Sequence, residues 1–265
     1  MTRIIVVTSG KGGVGKTTFT SNIGAALANL GRKVALVDAD FGLRNLDLLL
    51  GLEERVVYTA LDVLAGDCRL NQALVKDKRL KSLVLLPAAQ NRNKESVRPE
   101  QMQKIADALS EEYEYIILDS PAGIELGFRN AIAAAKEALI VTTPEIAAVR
   151  DADRVIGLLE AEGIHKINLV VNRVKPAMVQ SNKMMSVEDV LELLGVSLLG
   201  VIPDDEKVIV ATNRGEPLVI GEPDSLPAMA INNIALRLEG EKVPFLDLLA
   251  HNENLLARLR RIFGG

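Results

Sequence analysis

Residues 10 to 17 read GKGGVGKT: a glycine, four residues, then Gly15, Lys16 and Thr17. Phosphate chemistry needs these residue types at this spacing. Glycines at 12, 13 and 15 let the backbone curl so that several N–H groups converge on phosphate oxygens. Lys16 supplies a cation for β and γ phosphates, and Thr17 supplies a hydroxyl for Mg²⁺. A helix beginning at Lys16 adds the positive end of its dipole to the same site. The segment therefore predicts a phosphate-binding loop (P-loop) for a Mg²⁺-bound nucleoside triphosphate. A second lysine, Lys11, stands near its start.

Carboxylates recur where such a loop would use them. Asp119 ends the apolar run YIIL, and Asp38 and Asp40 follow KVALV. An aspartate at a strand end beside a P-loop commonly holds magnesium through water. One alone is often structural, but three at adjacent strand ends predict a metal and water site. No Asn-Lys-x-Asp guanine-reading motif occurs, so the expected nucleotide is ATP. No residue stands out as a strong base for the attacking water, which predicts slow basal turnover.

These residues need a scaffold, and the sequence supplies one. Arg3 to Thr8 (RIIVVT) is a short β-branched run stopped by Ser9-Gly10, as in a buried strand. After the loop, Ile23, Ala26, Leu27 and Leu30 recur at helical spacing, with Gly31 as C-terminal cap. Further strand-like runs lie at Lys33 to Val37, Leu83 to Leu86, Tyr115 to Leu118, Ala138 to Val141, Ile167 to Val171 and Leu198 to Ile202. Amphipathic stretches at Glu100 to Ser110, Ala147 to Glu162 and Val187 to Leu194 separate several of them. Strands alternating with helices predict an α/β fold, a single P-loop NTPase domain with a mainly parallel sheet and helices on both faces. Ligands of such sheets bind at the carboxyl ends of the strands.

The 265 residues suit one large domain, and 48% apolar with only 3% aromatic residues predicts a core of Leu, Val, Ile and Ala. A net charge of −4 gives no general attraction to nucleic acid, and none is expected as a partner. The single cysteine, Cys68, excludes an internal disulfide framework and a zinc or iron–sulfur site within one chain, and reads as a packed or idle thiol. No apolar run approaches the roughly 18–20 residues that span a bilayer, and no signal segment precedes the first strand. The expected setting is cytoplasmic. The polar stretch 87–99 reads equally well as a plain surface loop or a functional one.

The chain changes character near residue 250 and ends HNENLLARLRRIFGG. Drawn as a helix, Leu255, Leu256, Leu259, Ile262 and Phe263 share one face, with Arg258, Arg260 and Arg261 on the flanks. A final helix docked on the domain is the ordinary reading of such a pattern. The arginine cluster after a polar lead favours instead a C-terminal amphipathic helix resting in a membrane interface of anionic lipid. The expected boundaries are 1–250 for the ATPase domain and 251–265 for a membrane-targeting segment.

At KGGVGKTT the chain resembles the deviant Walker A (MinD/ParA) family, and VDADFGLRNLD and LDSPAGIE resemble its MinD branch. The resemblance implies a dimer-dependent ATPase that regulates division-site placement from the inner face of the cytoplasmic membrane. It places Gly10, Lys11, Gly12, Gly13, Val14, Gly15, Lys16, Thr17 and Thr18 on the nucleotide. Lys11 would reach the phosphates of the opposite subunit in an ATP-sandwiched homodimer. Asp40 would help position the attacking water, Thr17, Asp40 and Asp119 would serve the metal, and Asp119 and Gly123 would sense the γ-phosphate. Asn172, Arg173, Pro203 and Asp204 match positions near adenine, although Asn172 also reads as an ordinary strand-end turn. Arg44, Asn45, Glu125, Asp151 and Asp153 are weaker candidates for a dimer or partner surface. The implied partners are a MinE-like activator of hydrolysis and a MinC-like protein. Within the same family, a ParA-type DNA partition ATPase and a flagellar-number ATPase remain alternatives, and an iron–sulfur carrier would need cysteines near Asp119.

Overall fold

A computed structural model describes residues 2–41, 43–89 and 97–248. Eight strands form one sheet: β1 (Arg3–Thr8), β2 (Val34–Asp38), β3 (Val75–Lys76), β4 (Leu83–Leu86), β5 (Tyr115–Asp119), β6 (Glu137–Thr142), β7 (Ile167–Val174) and β8 (Ser197–Pro203). Their order is β3-β4-β2-β5-β1-β6-β7-β8. Every pairing is parallel except the short β3 on β4. All the strand runs anticipated from sequence are present. The two-residue β3 was not anticipated, being too short to carry a pattern. β7 runs on to Val174 through a register irregularity against β8.

The helices are α1 (Lys16–Asn29), α2 (Leu46–Leu50), α3 (Ala60–Ala65), α4 (Leu70–Ala73), α5 (Pro99–Ser110) and α6 (Leu126–Ala133). They continue with α7 (Ile146–Ala161), α8 (Pro176–Gln180), α9 (Val187–Leu194), α10 (Glu206–Asn213), α11 (Leu218–Gly221) and α12 (Leu226–Leu238). Alternation along β1 explains the layers, since side chains at i and i+2 share a sheet face. Ile4 and Val6 join the core that receives α5, α6, α7 and α9, while Ile5 and Val7 join the core under α1, α2 and α12. Cys68 packs half-buried against the first of these cores, a structural role.

Two backbone details fix the helix that follows the loop. Gly31 takes a φ of +84° just beyond α1, as its capping role requires. Gly24 lets α1 lie close on β2, because a Cβ there would come within 2.6 Å of Leu36 Cδ2.

α12 was not foreseen, yet it packs on both α1 and β8. From its last turn Arg237 donates to the carbonyls of Leu199, Val243 and Pro244 at 3.0, 2.9 and 2.8 Å, and its guanidinium stacks on Phe245. The outgoing chain is thereby tied beside β8. Residues 90–96 of the polar stretch lie outside the described residues, as do the expected boundary at 250 and the tail residues Leu255, Leu256, Arg258, Leu259, Arg260, Arg261, Ile262 and Phe263. Among the described residues no helix is long and apolar enough to cross a membrane.

Candidate nucleotide site

The loop leaves the carboxyl end of β1, where β1 lies between β5 and β6, and ends at the first turn of α1. Gly13 and Gly15 adopt φ of +81° and +96°, a region that side chains resist. Gly15 is constrained twice, because a Cβ there would also collide with the Asn172 amide. Gly10 is required for a different reason: a Cβ would run into the backbone carbonyl of Asp151, so α7 packs directly on the loop. Val14 is buried, and its carbonyl accepts a 2.8 Å hydrogen bond from Asn172 Nδ2.

Lys16 is buried beside Asp119 at the end of β5. Asp119 accepts from the Thr17 hydroxyl and, at 3.0 Å, from Thr20 Oγ1. Burial pushes its carboxyl above the usual range; Lys16 and the two hydroxyls pull it down, and the Asp40 charge adds to the rise.

The three strand-end aspartates lie close enough for their charges to interact but have different partners. Asp38 lies opposite Asp119 in the β2–β5 ladder, with Oδ1 accepting from Asp40 N–H at 3.0 Å and Oδ2 from Leu46 N–H at 3.3 Å. Burial, and then the Asp119 charge, push Asp38 up to about 8. Asp38 is thus tied to the backbone and pins the turn that carries Asp40. Asp40 keeps a buried Oδ1 with no protein partner. Thr17, Asp40 and Asp119 offer hard oxygen donors, as a magnesium site requires. Among the described residues no three His, Cys, Asp or Glu side chains form a metal cage, so such an ion would complete its shell with phosphate oxygens and water.

Lys11 stands apart. Its side chain is 47% exposed on the outer lip, with Nζ 3.7 Å from the Glu145 carboxylate. Gly123, at φ +88°, donates its N–H to the Ser9 carbonyl at 3.4 Å and links the segment after β5 to the loop.

On the other side, a cavity of about 1160 Å³ opens from Gly15 and Thr18 and is lined by Asn172, Arg173, Pro203 and Asp204. The four base-side positions expected from sequence thus share one space with the loop. Lys175 pairs with Asp204 at 3.2 Å at its edge. Sequence reasoning missed Met178, Met184, Val208 and Ile209, which line the same cavity and belong to no motif. Of the weaker candidates, Arg44 (φ 45°) is paired with the buried Asp47, and Asn45 is exposed just before α2. Asp151 meets the loop through its backbone, Glu125 precedes α6, and Asp153 is exposed.

The model of the CobQ/CobB/MinD/ParA nucleotide binding domain matches residues 5–218. The chain belongs to this family. This MinD/ParA-family chain is 66% identical over 266 residues to the septum site-determining protein MinD of Synechocystis sp., covering 100% of both chains. Among solved structures, MinD in the MinC:MinD cell division protein complex of Aquifex aeolicus matches with a TM-score of 0.86 and 50% identity, over 91% of this chain and 97% of that one. The Pyrococcus horikoshii septum site-determining protein MinD complexed with Mg-ADP matches with a TM-score of 0.82 and 34% identity, over 94% and 98%.

Proposed function

We propose that this chain is an ATP-hydrolysing switch, ATP + water to ADP + phosphate, that dimerises around the nucleotide and regulates division-site placement from the membrane surface. The observation that carries it is the separation of the two lysines. Lys16 is buried in its own loop, whereas Lys11 is exposed and paired only across 3.7 Å with Glu145. An exposed pair of that kind contributes little, so phosphates on a second copy can displace it.

In this reading the loop from Gly10 to Thr18 wraps the phosphates, with Lys16 on the β and γ groups. Thr17 would hold Mg²⁺, with Asp40 and Asp119 acting through water. The ion would supply charge neutralisation between the phosphates. Asp40, with its unpartnered oxygen, orients the attacking water, and Gly123 lies where the segment after β5 can register the γ-phosphate. Asn172, Arg173, Pro203 and Asp204 flank adenine. The Aquifex MinC:MinD complex supports a MinC-like partner. The MinE-like activator rests on family resemblance.

Residues 251–265 form the membrane segment. Five partly buried apolar side chains contribute roughly 5–8 kcal/mol and three arginines about 1 kcal/mol each near anionic lipid. Ordering a dozen residues costs on the order of 1 kcal/mol apiece, so one copy binds weakly. Two copies on one dimer bind far more tightly, because the second insertion is intramolecular. Arg237 holds Val243 and Pro244 beside β8, three strands from β1, which favours coupling through dimerisation over direct contact with the loop.

Sedimentation with anionic vesicles tests this. With ATP the full chain should pellet and the chain ending at Ala250 should not, although both dimerise; added DNA should not compete. Equal pelleting of the two chains would overturn the membrane role.

A further inference from the structure

The short strand β3 and the turn after it carry an arginine that the nucleotide site does not use. Asp77 follows β3 directly, and its N–H donates to the Leu83 carbonyl at 2.9 Å. Its buried carboxylate accepts the N–H groups of Arg79 and Leu80 at 2.7 and 2.9 Å, and also holds Arg79 Nη2 at 2.9 Å. The guanidinium is thus aimed by its own turn. It donates through Nη2 to the Leu50 carbonyl at 2.7 Å and through Nη1 to the Gly215 carbonyl at 3.3 Å. Leu50 is the last residue of α2, and Gly215 lies just beyond α10. Helix C-termini leave carbonyls without partners and gather partial negative charge, so one guanidinium fork serves both ends.

The two ends meet backbone to backbone. A Cβ at Gly51 would come within 2.6 Å of the Gly215 carbonyl oxygen, and a Cβ at Gly215 within 2.9 Å of Gly51 Cα. α10 is anchored independently: Asp205 caps its start through the Lys207 N–H at 2.8 Å, and Ala211 is buried in the second core. α2 has only 5 residues, too few to fix a helix through its own hydrogen bonds, so its placement depends on what holds its ends. At its start, Leu46 N–H donates to Asp38 Oδ2 at 3.3 Å and Arg44 N–H to the Asp40 carbonyl at 3.4 Å. The Arg44 side chain pairs with Asp47 of α2 at 2.6 Å. Asp40 is therefore suspended between Asp38 and the first turn of α2.

We propose that Arg79 is a positioning residue for ATP hydrolysis: by clamping the ends of α2 and α10 together it sets where α2 begins, and so where Asp40 stands relative to the attacking water. The inference rests on the ATP reading above and deepens it. The partners of Arg79 are Leu50, Asp77, Gly215 and Glu216, none of which belongs to the phosphate loop or lines the nucleotide cavity. Its loss should leave binding in place and act on the chemical step, where displacements of about 1 Å cost large factors.

The test combines steady-state phosphate release over a range of Mg-ATP, calorimetric titration with Mg-ATP, and amide hydrogen exchange of the nucleotide-free full chain. Arg79→Ala should lower kcat about tenfold or more, with KM and titrated affinity within about twofold. Its Leu46 and Leu49 amides should exchange about tenfold faster, while those of α1 keep their rates. Arg79→Lys retains the charge beside Asp77 but lacks the fork that spans two carbonyls. It should show the same split in smaller measure, and it carries the test if Arg79→Ala does not fold. A general loss of stability would instead lower ATP affinity and α1 protection together with kcat. That outcome, unchanged kcat in the folded variants, or unchanged exchange at Leu46, overturns the positioning role and leaves ATP hydrolysis standing. If the unaltered chain releases no phosphate from Mg-ATP, the ATP reading itself falls and takes the role of Arg79 with it.

Discussion

The Asn172 side chain fills the space that a residue larger than glycine would need at position 15, and its Nδ2 simultaneously holds the Val14 carbonyl at 2.8 Å. The end of β7 thereby braces the phosphate loop from the base side. Gly15→Ala should cost about 1–3 kcal/mol from left-handed strain alone, with the collision added. At about 2–4 °C per kcal/mol, a fall of several degrees in Tm is expected, together with loss of ATP binding by titration. Gly15→Ala/Asn172→Ala should recover the part due to the collision but not the part due to φ. A double variant no more stable than the single one would show that Asn172 is not the obstacle.

Thr20 has one hydroxyl proton and two acceptors at 3.0 Å, the Lys16 carbonyl and Asp119 Oδ1. Thr20→Val keeps the shape and removes the donor from a buried carboxyl. The expected loss is about 1–3 kcal/mol in urea unfolding, with Thr20→Ser close to the unaltered chain. A Thr20→Val chain of unchanged stability would mean that the Lys16 carbonyl receives the proton.

Asp38 sets a pH dependence. Its folded value is about 8, against 3.8 for the ordinary carboxyl, so between those pH values the folded state holds a proton that the unfolded state has lost. The group therefore costs stability as pH rises through this window, by at most about 1.4 kcal/mol per pH unit. Asp38→Asn removes the titration and gives up one backbone contact. In the absence of nucleotide, the difference in Tm between Asp38→Asn and the unaltered chain should move in favour of the variant from pH 5 to pH 8. A difference independent of pH would place the titration elsewhere.

Lys16→Ala should abolish ATP binding, since it removes the buried cation beside Asp119. Lys11→Ala should leave monomeric ATP binding within about twofold, because only an exposed pair with Glu145 is lost. Light scattering with ATP should find Lys11→Ala monomeric where the unaltered chain is dimeric. A fully dimeric Lys11→Ala chain would remove the role of Lys11 in the partner's site.

Local information made the central part of the fold legible from sequence alone. RIIVVT, the glycine loop and the helix after it are contiguous, and a β-branched run, a P-loop spacing and a 3.6-residue periodicity each act over a few neighbours. The alternating runs then settled a mainly parallel α/β sheet, and with it the end at which Lys16, Asp119, Asn172 and Pro203 would meet.

What tertiary structure decided are choices between residues that look equivalent in the chain. Asp38 and Asp40 stand two apart at one strand end; the return of Leu46 N–H captures the first and leaves the second with an unpartnered oxygen. Gly10 owes its size to Asp151 and Lys11 its resting partner to Glu145, both far along the chain. Met178, Met184 and Ile209 had no motif to announce them, and only the fold brings them to one cavity with Gly15. The sequence determined which chemistry the loop can do. The packing of distant segments determined which of its charged and apolar side chains were left free to do it, because a side chain's partners depend on what the rest of the chain places beside it.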